Sequence, residues 1–357
     1  MPRCAGSWGA VYSRADRLLH RVALGFAPVL EASFDIERAR YAKAIRGIDV
    51  EAPVFVSGLA RAGTTILTRL LDQHGAFASL TYRDMPFPLA PNSWRKLSAP
   101  FKRRVETHER GHGDGLTHDL DSPEAIEEVF WRAHEGERYV TPAGLTPVPP
   151  EPATIVAFRD YVRLVLLGDP GKRYLSKNNN NVLRLPSLVE AFPDAILIHP
   201  FRDPVQQAES LRSQHLRAIA LAAGDDFRRS FMGWLGHHEF GADRRPFLFD
   251  GAPGAGDDPL SLGYWLKAWI SVHEALLDQP PAVAVRQVFV DHDRLCAEAG
   301  ARAARLGWLA GLDEPLDLSA LAPPSRRSVA LDDPELLAHA HDLHCRLGER
   351  YRAAFTA

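Results

Sequence analysis

The sequence predicts an α/β protein, a mainly parallel sheet flanked by helices. Short apolar runs alternate with longer stretches of helical period, the pattern of repeated βαβ units. The clearest runs, 54–57, 195–199 and 283–290, are each followed by polar or glycine-containing residues and then a helical pattern. No internal repeat or low-complexity tract interrupts them. An open sheet of this kind places its ligands at the carboxyl ends of its strands.

The elements follow in order. Residues 12–26 form an amphipathic stretch, with Arg14, Arg17, His20 and Arg21 opposite Leu18, Leu19, Val22 and Leu24. An N-terminal helix packed on the core is expected there, with contact to a membrane or partner as the alternative. Helices are expected over 64–72, 122–133, 153–167, 205–216, 262–277, 295–310 and 333–354. Ser122-Pro123-Glu124 and Asp333-Pro334-Glu335 each supply an N-cap followed by proline in the first turn. Two stretches, 81–115 and 223–260, break the rhythm with charges, glycine, proline and aromatic residues, and are expected to be lids and acceptor-binding loops or else disordered. No boundary divides the chain, so residues 1–357 are expected to form one domain with an N-terminal helical segment and these two insertions.

The 357 residues suffice for a sizeable core. With 42 Lys plus Arg against 45 Asp plus Glu, the chain lacks the broad basic field of a nucleic-acid binder, so any anion site is local. Cys4, Cys296 and Cys345 have neither metal-ligand nor redox spacing, which points to a reducing, cytoplasmic setting without a disulfide framework. There is no basic start followed by an apolar core, and no apolar run long enough for a transmembrane segment; a soluble chain is expected.

The strongest local signal is Val54-Phe55-Val56-Ser57-Gly58-Leu59-Ala60-Arg61-Ala62-Gly63-Thr64-Thr65, a strand running through a glycine-bounded loop into a helix. Gly58 and Gly63 permit the turn, and the amides opening the helix face an anion. The glycines fit the nucleoside-triphosphate loop G-x-x-x-x-G-K-[ST], but Thr64 stands where that loop carries lysine. The cation is instead Arg61, whose planar fork suits a sulfate or phosphate. A triphosphate with Mg²⁺ is disfavoured. The plainer alternative is a tight strand-to-helix turn.

Here the chain resembles the sulfotransferases that use 3'-phosphoadenosine 5'-phosphosulfate (PAPS). Their phosphosulfate loop, [K/R]-[S/A]-G-T-T, reads Arg61-Ala62-Gly63-Thr64-Thr65, with the arginine of the tyrosylprotein and many bacterial members. A second motif, Ile196-Leu197-Ile198-His199-Pro200-Phe201-Arg202-Asp203-Pro204, continues through Val205-Gln206-Gln207-Ala208-Glu209-Ser210. The resemblance implies that Arg202 and Ser210 bind the 3'-phosphate of PAPS. Eight residues span the loop and about two helical turns, so guanidinium and hydroxyl can converge on one dianion. Otherwise Arg202 would pair with Asp203 or a helix end. The likeness is clear over 54–216 and only in outline beyond.

What it implies is a P-loop-NTPase-like sulfotransferase fold that moves the sulfuryl group of PAPS to a hydroxyl or amine by in-line displacement. The product is PAP, and no metal is needed. Arg61 would stabilise the leaving phosphate. Lys177, in Tyr174-Leu175-Ser176-Lys177-Asn178-Asn179, would be the second cation, although the asparagine run could simply cap a loop. Asn179 stands where cytosolic members carry a catalytic histidine. Asp84, in Tyr82-Arg83-Asp84-Met85, is the expected base, unless it pairs with Arg83 or caps a turn. Rival bases lie in 106–118, which holds His108, His112 and His118; as a metal site that stretch matches no common template. His237-His238 is a weaker rival.

Trp265 and Trp269 are expected in the core rather than in an acceptor pocket. Residues 288–295 resemble the family's late strand and turn, with Asp291 and Asp293 structural, and 325–328 is a basic loop expected to be solvated or to close over the nucleotide. The alternatives are a P-loop nucleotide kinase or ATPase and a non-catalytic PAP-binding scaffold. Small molecule, glycan and lipid remain open as acceptors, and the resemblance leaves room for a homodimer.

Overall fold

The computed structural model describes residues 13–99, 108–109, 117–118, 126–222, 226–323 and 326–356. The chain opens with helices α1 (Arg14–Gly25) and α2 (Ala27–Ile45), strand β1 (Val54–Val56) and helix α3 (Thr64–Gln73). Then come β2 (Phe77–Ala78), α4 (Pro91–Ser98), a short pair β3 (His108–Glu109) and β4 (Thr117–His118), α5 (Glu128–Tyr139) and α6 (Pro152–Leu166). β5 (Arg173–Lys177), α7 (Leu185–Ala191), β6 (Ile196–Phe201), α8 (Pro204–Ala222) and α9 (Asp226–Trp234) form the middle. The rest is α10 (Leu262–Leu277), α11 (Pro281–Ala284), β7 (Gln287–Asp291), α12 (His292–Ala297), α13 (Ala299–Leu309) and α14 (Pro334–Thr356).

Five strands form one sheet in the order β2-β5-β1-β6-β7, and every pairing in it is parallel. β1 is central, with Val54 opposite both Leu175 and Ile196. Covered on both faces, it is apolar at each residue rather than alternating, and Val54, Phe55 and Val56 are fully buried. Phe55 packs against Phe158 and Phe192. Behind them Phe130 stacks on Tyr161 at 5.0 Å and Trp131 meets Phe158 at 4.5 Å, which fastens α5 and α6 to the sheet.

Several expected elements differ in detail. Within 283–290 the strand begins only at Gln287, because Pro281 in the first turn of α11 favours a helix. The helix expected over 295–310 is two, α12 and α13, since Asp291 accepts from Arg294 N (3.1 Å) and caps a turn that starts at His292. The helix expected from 122 begins at Glu128, and Ser122-Pro123-Glu124 lies outside the described residues. α1 turns the opposite way from expectation. His20, Ala23 and Leu24 are buried, while Leu18, Leu19 and Val22 face out. The His20 imidazole rests 5.5 Å from the Phe231 ring and its Nδ1 lies 2.8 Å from Asp16 O, so it packs as a ring against phenylalanine while bonded to the backbone of its own helix.

Buried imidazoles give the fold a pH dependence. Burial pushes His199 and His292 down to about 4 and His273 to about 3. Unfolded histidines take a proton near the ordinary value of about 6.5. Stability is therefore full above that pH and falls as pH drops toward 4, on the order of 1 kcal/mol per pH unit for each ring. Urea midpoints measured from pH 7.5 to 5 should fall steeply below pH 6.5; a flat profile would contradict neutral burial.

Candidate active site

The carboxyl ends of β1, β5, β6 and β7 bring the sequence motifs together. After β1 the chain turns through Gly58 (φ 151°) to Gly63 (φ 94°), where a Cβ would run into the His292 imidazole. Arg61 itself adopts φ 67°. A non-glycine residue held there costs on the order of 1–3 kcal/mol and requires surrounding contacts to hold it. Gln207, fully buried on α8, supplies some: its Nε2 donates to the carbonyls of Leu59 (3.3 Å) and Ala60 (3.0 Å). Its Oε1 accepts from Trp269 Nε1 (3.0 Å) and Arg202 N (3.3 Å). Trp269 is thus core, as expected, but it also braces the loop. At the start of α3, Gly63 provides no side-chain cap, which leaves the first-turn amides to an anion or solvent. Ala62 and Thr64 are buried and Thr65 half-buried.

The second motif meets the first directly. Arg61 Nε donates to Ser210 Oγ (3.1 Å), and Arg202 Nη1 donates to Arg61 O (3.3 Å). Arg202 pairs with Asp293 (3.4 Å) rather than with Asp203, whose carboxylate instead accepts from Gln206 N (3.0 Å) at the start of α8. Asp293 also accepts from Asp203 N (3.0 Å), so the turn after β7 positions the turn after β6. Arg327 reaches the same helix: its amide donates to Gln206 Oε1 (2.8 Å), and its guanidinium lies beside Glu209 (3.5 Å) and on Ser213. Residues 326–328 are exposed, as expected of a solvated turn, and Arg327 also touches α8 from there; Ser325 is outside the described residues.

Lys177 ends β5 opposite Val56 and is buried. The asparagines after it form a built structure. Asn178 donates to Glu128 (2.8 Å) and Asn181 to Glu127 (2.9 Å), while Asn180 donates to Gly236 O (3.0 Å) and Asn179 to Glu239 (3.0 Å). Glu127 also accepts from Tyr174 OH (2.8 Å), and Glu128 takes Arg184 bidentately, 2.7 and 3.1 Å. Burial opposes the charge of Glu128, but Arg184 and the hydrogen bonds from Tyr139 and Asn178 hold its carboxyl below the usual range. Sequence reasoning missed Gln207, Glu127, Glu128, Arg184 and Glu239. The signal for Glu127 and Glu128 was two adjacent acids beside Val129-Phe130-Trp131, a run otherwise destined for the core.

Asp84 does not join this group. It is fully buried, its two oxygens bound by Arg95 Nε (2.7 Å) and Nη2 (3.2 Å), and it accepts from Thr81 N (2.9 Å) in a short turn. It follows β2, two strands from β1 and so roughly 10 Å across the sheet. The expected base is engaged as a structural ion pair, with Arg95 rather than Arg83. Glu106 and His112, and the side chains of His108 and His118, lie outside the described residues. His238 is largely buried, and burial lowers its pKa. Among the described residues no group of three or more His, Cys, Asp or Glu could hold a metal, and no helix is long and apolar enough to cross a membrane.

At its carboxyl edge the sheet thus carries a glycine-bounded strand-to-helix loop, with Arg61 inside it and Thr64 where a triphosphate loop has its lysine, and Arg202 and Ser210 packed against that loop. The sulfotransferase family model matches residues 53–243, more than half the chain, including the segments after β1, β5 and β6 but not Trp269, the β7 turn or Arg327. The chain belongs to the sulfotransferase family, and its chemistry is sulfuryl transfer. No curated protein matches the sequence. Among solved structures it is similar to a sulfotransferase of Mycobacterium tuberculosis at 17% identity, over 93% of this chain and 85% of that one, with a TM-score of 0.48. A sulfotransferase of Mycobacterium avium is 16% identical over 97% and 87% of the two chains, TM-score 0.47. One from Alicyclobacillus acidocaldarius is 15% identical over 86% and 97%, TM-score 0.38.

Proposed function

We propose that the sulfuryl donor is PAPS and that the acceptor is a hydroxyl or amine. The observation that carries this reading is the pair of contacts joining the two anion motifs, Arg61 to Ser210 and Arg202 to the Arg61 carbonyl. They set the two motifs side by side with one guanidinium from each, an arrangement that would suit a nucleotide bearing a 5'-phosphosulfate and a 3'-phosphate. The uncapped amides opening α3, with Ala62, Gly63, Thr64 and Thr65, would receive the 5' group. Arg202 and Ser210 would receive the 3'-phosphate.

In the transfer the acceptor oxygen or nitrogen bonds to sulfur as the bond from sulfur to the 5'-phosphate oxygen breaks, and PAP leaves with that electron pair. Arg61 and Lys177 would neutralise the charge moving onto the phosphate, where a fixed cation in a partly dry site is most effective. The nucleotide kinase reading loses its lysine to Thr64. The chain would work as a single-domain enzyme in the cytoplasm, where thiols such as Cys296 and Cys345 stay reduced.

PAP formation from PAPS should proceed unchanged in excess EDTA. Phosphoryl transfer from ATP that stops on chelation would instead favour the kinase reading.

A further inference from the structure

We propose that Glu239 takes the acceptor's proton, and that the acceptor is a hydroxyl carried on an apolar chain or ring, with the hydroxyl end entering the pocket beside it. The inference rests on PAPS as donor. Glu239 lies in the segment between α9 and α10, and the turn that follows Lys177 holds it there. Asn179 Nδ2 binds its Oε1 at 3.0 Å, and the neighbouring Asn180 fastens Gly236 O at 3.0 Å. Its other oxygen faces His237 Nδ1 at 3.8 Å, and the side chain keeps 15% of its surface exposed. Asp84, by contrast, has none. Burial opposes ionisation of Glu239, but the charges of His237 and Lys177 and the Asn179 hydrogen bond hold its carboxyl below the usual range. It is therefore a carboxylate at neutral pH, and it would take the proton only as the acceptor oxygen bonds to sulfur and grows more acidic.

Glu239 lines a pocket whose other walls include Leu59, Leu211, Phe247, Trp265 and Val272. Leu59 belongs to the phosphate loop, two residues before Arg61, so the pocket adjoins the donor site. Its charged lining besides Glu239 is Arg244 and Arg245. The Arg244 guanidinium lies over the Tyr264 ring at 4.5 Å, and Arg245 donates to Thr141 O. Both cations are engaged by the protein, so the walls offered to a ligand are mainly apolar. The pocket is partly open, with a volume of about 30 Å³, room for the hydroxyl end of an acceptor, so the chain or ring would lie outside it. When the hydroxyl oxygen bonds to sulfur, its proton passes to Glu239 and PAP departs with the electrons of the broken sulfur–oxygen bond.

The test uses the full chain, PAPS, and two probes, 1-octanol and 2-naphthol. Wild type should sulfate both. Glu239→Gln should lower kcat for 1-octanol by roughly 10²–10⁴-fold, with KM within a few-fold, and lower it far less for 2-naphthol, which sheds its proton more readily. Glu239→Asp should recover part of the octanol rate. Thermal stabilisation by PAP, measured on each variant, reads folding and the donor site separately. Loss of that shift in wild type would overturn the donor reading. With PAP bound, failure to sulfate either probe would overturn the acceptor class, and an unchanged kcat or an equal loss with both probes would overturn Glu239 as base.

Discussion

Arg61→Ala should lose roughly 10³-fold or more in kcat while still binding PAP. The guanidinium is asked to meet charge that develops only as the sulfur–oxygen bond breaks, so its removal belongs in the rate constant and not in ground-state affinity. Removal of a single such donor typically costs about 10²–10³, and a full positive charge at the leaving group should reach the upper end. The backbone supplies a control. Arg61 sits at φ 67°, so Arg61→Gly should be more stable than Arg61→Ala by about 1 kcal/mol yet equally inactive. Arg61→Lys keeps charge without the fork and should recover only part of the rate. Rapid-quench turnover alongside PAP titration measures both quantities. A variant that kept its kcat and lost PAP binding would move Arg61 from the chemistry to binding alone.

Arg184→Ala should be the most damaging change to the fold. Glu128 would remain buried without its cation, and breaking a buried pair on one side costs about 3–5 kcal/mol. The guanidinium also lies 4.7 Å over the Trp131 ring and 5.0 Å over Tyr139, contacts that lysine would not reproduce, so Arg184→Lys should recover little. Urea unfolding checks the magnitude, and a loss below about 1 kcal/mol would mean that water reaches the pair. The damage should extend to the site, because Asn178 binds the same carboxylate and directly follows Lys177. At a temperature where the variant remains folded, PAP binding should survive better than turnover.

The fold was legible where local chemistry and tertiary packing agree. β1 was visible because a strand covered on both faces is continuously apolar, and α10 because its 16 residues are too long an apolar stretch for a strand. α1 misled because periodicity reports which side is apolar, not which side finds a partner, and a neutral histidine can be buried among phenylalanines. The two motifs proposed to hold the donor were legible because each is contiguous, a strand end plus a helix start. The pocket proposed for the acceptor was not, since Glu239 and Trp265 come from separate segments joined only by packing. Gln207 was hidden for a different reason: its amide bridges Leu59, Ala60, Arg202 and Trp269, and no spacing along one helix announces such a bridge. Asp84 stood in a plausible stretch, but Arg95, eleven residues on, claims both of its oxygens.

The central claim is that the loops after β1 and β6 form one cleft for a nucleotide phosphorylated at both its 5' and 3' positions, and calorimetric titration of PAP and AMP against wild type and Arg202→Ala tests it most directly. Charge-assisted contacts to the second phosphate should make PAP bind wild type more tightly than AMP by on the order of 2–4 kcal/mol, and Arg202→Ala should remove most of that difference while leaving AMP almost unaffected. Equal affinities of PAP and AMP for the wild-type chain would contradict the account.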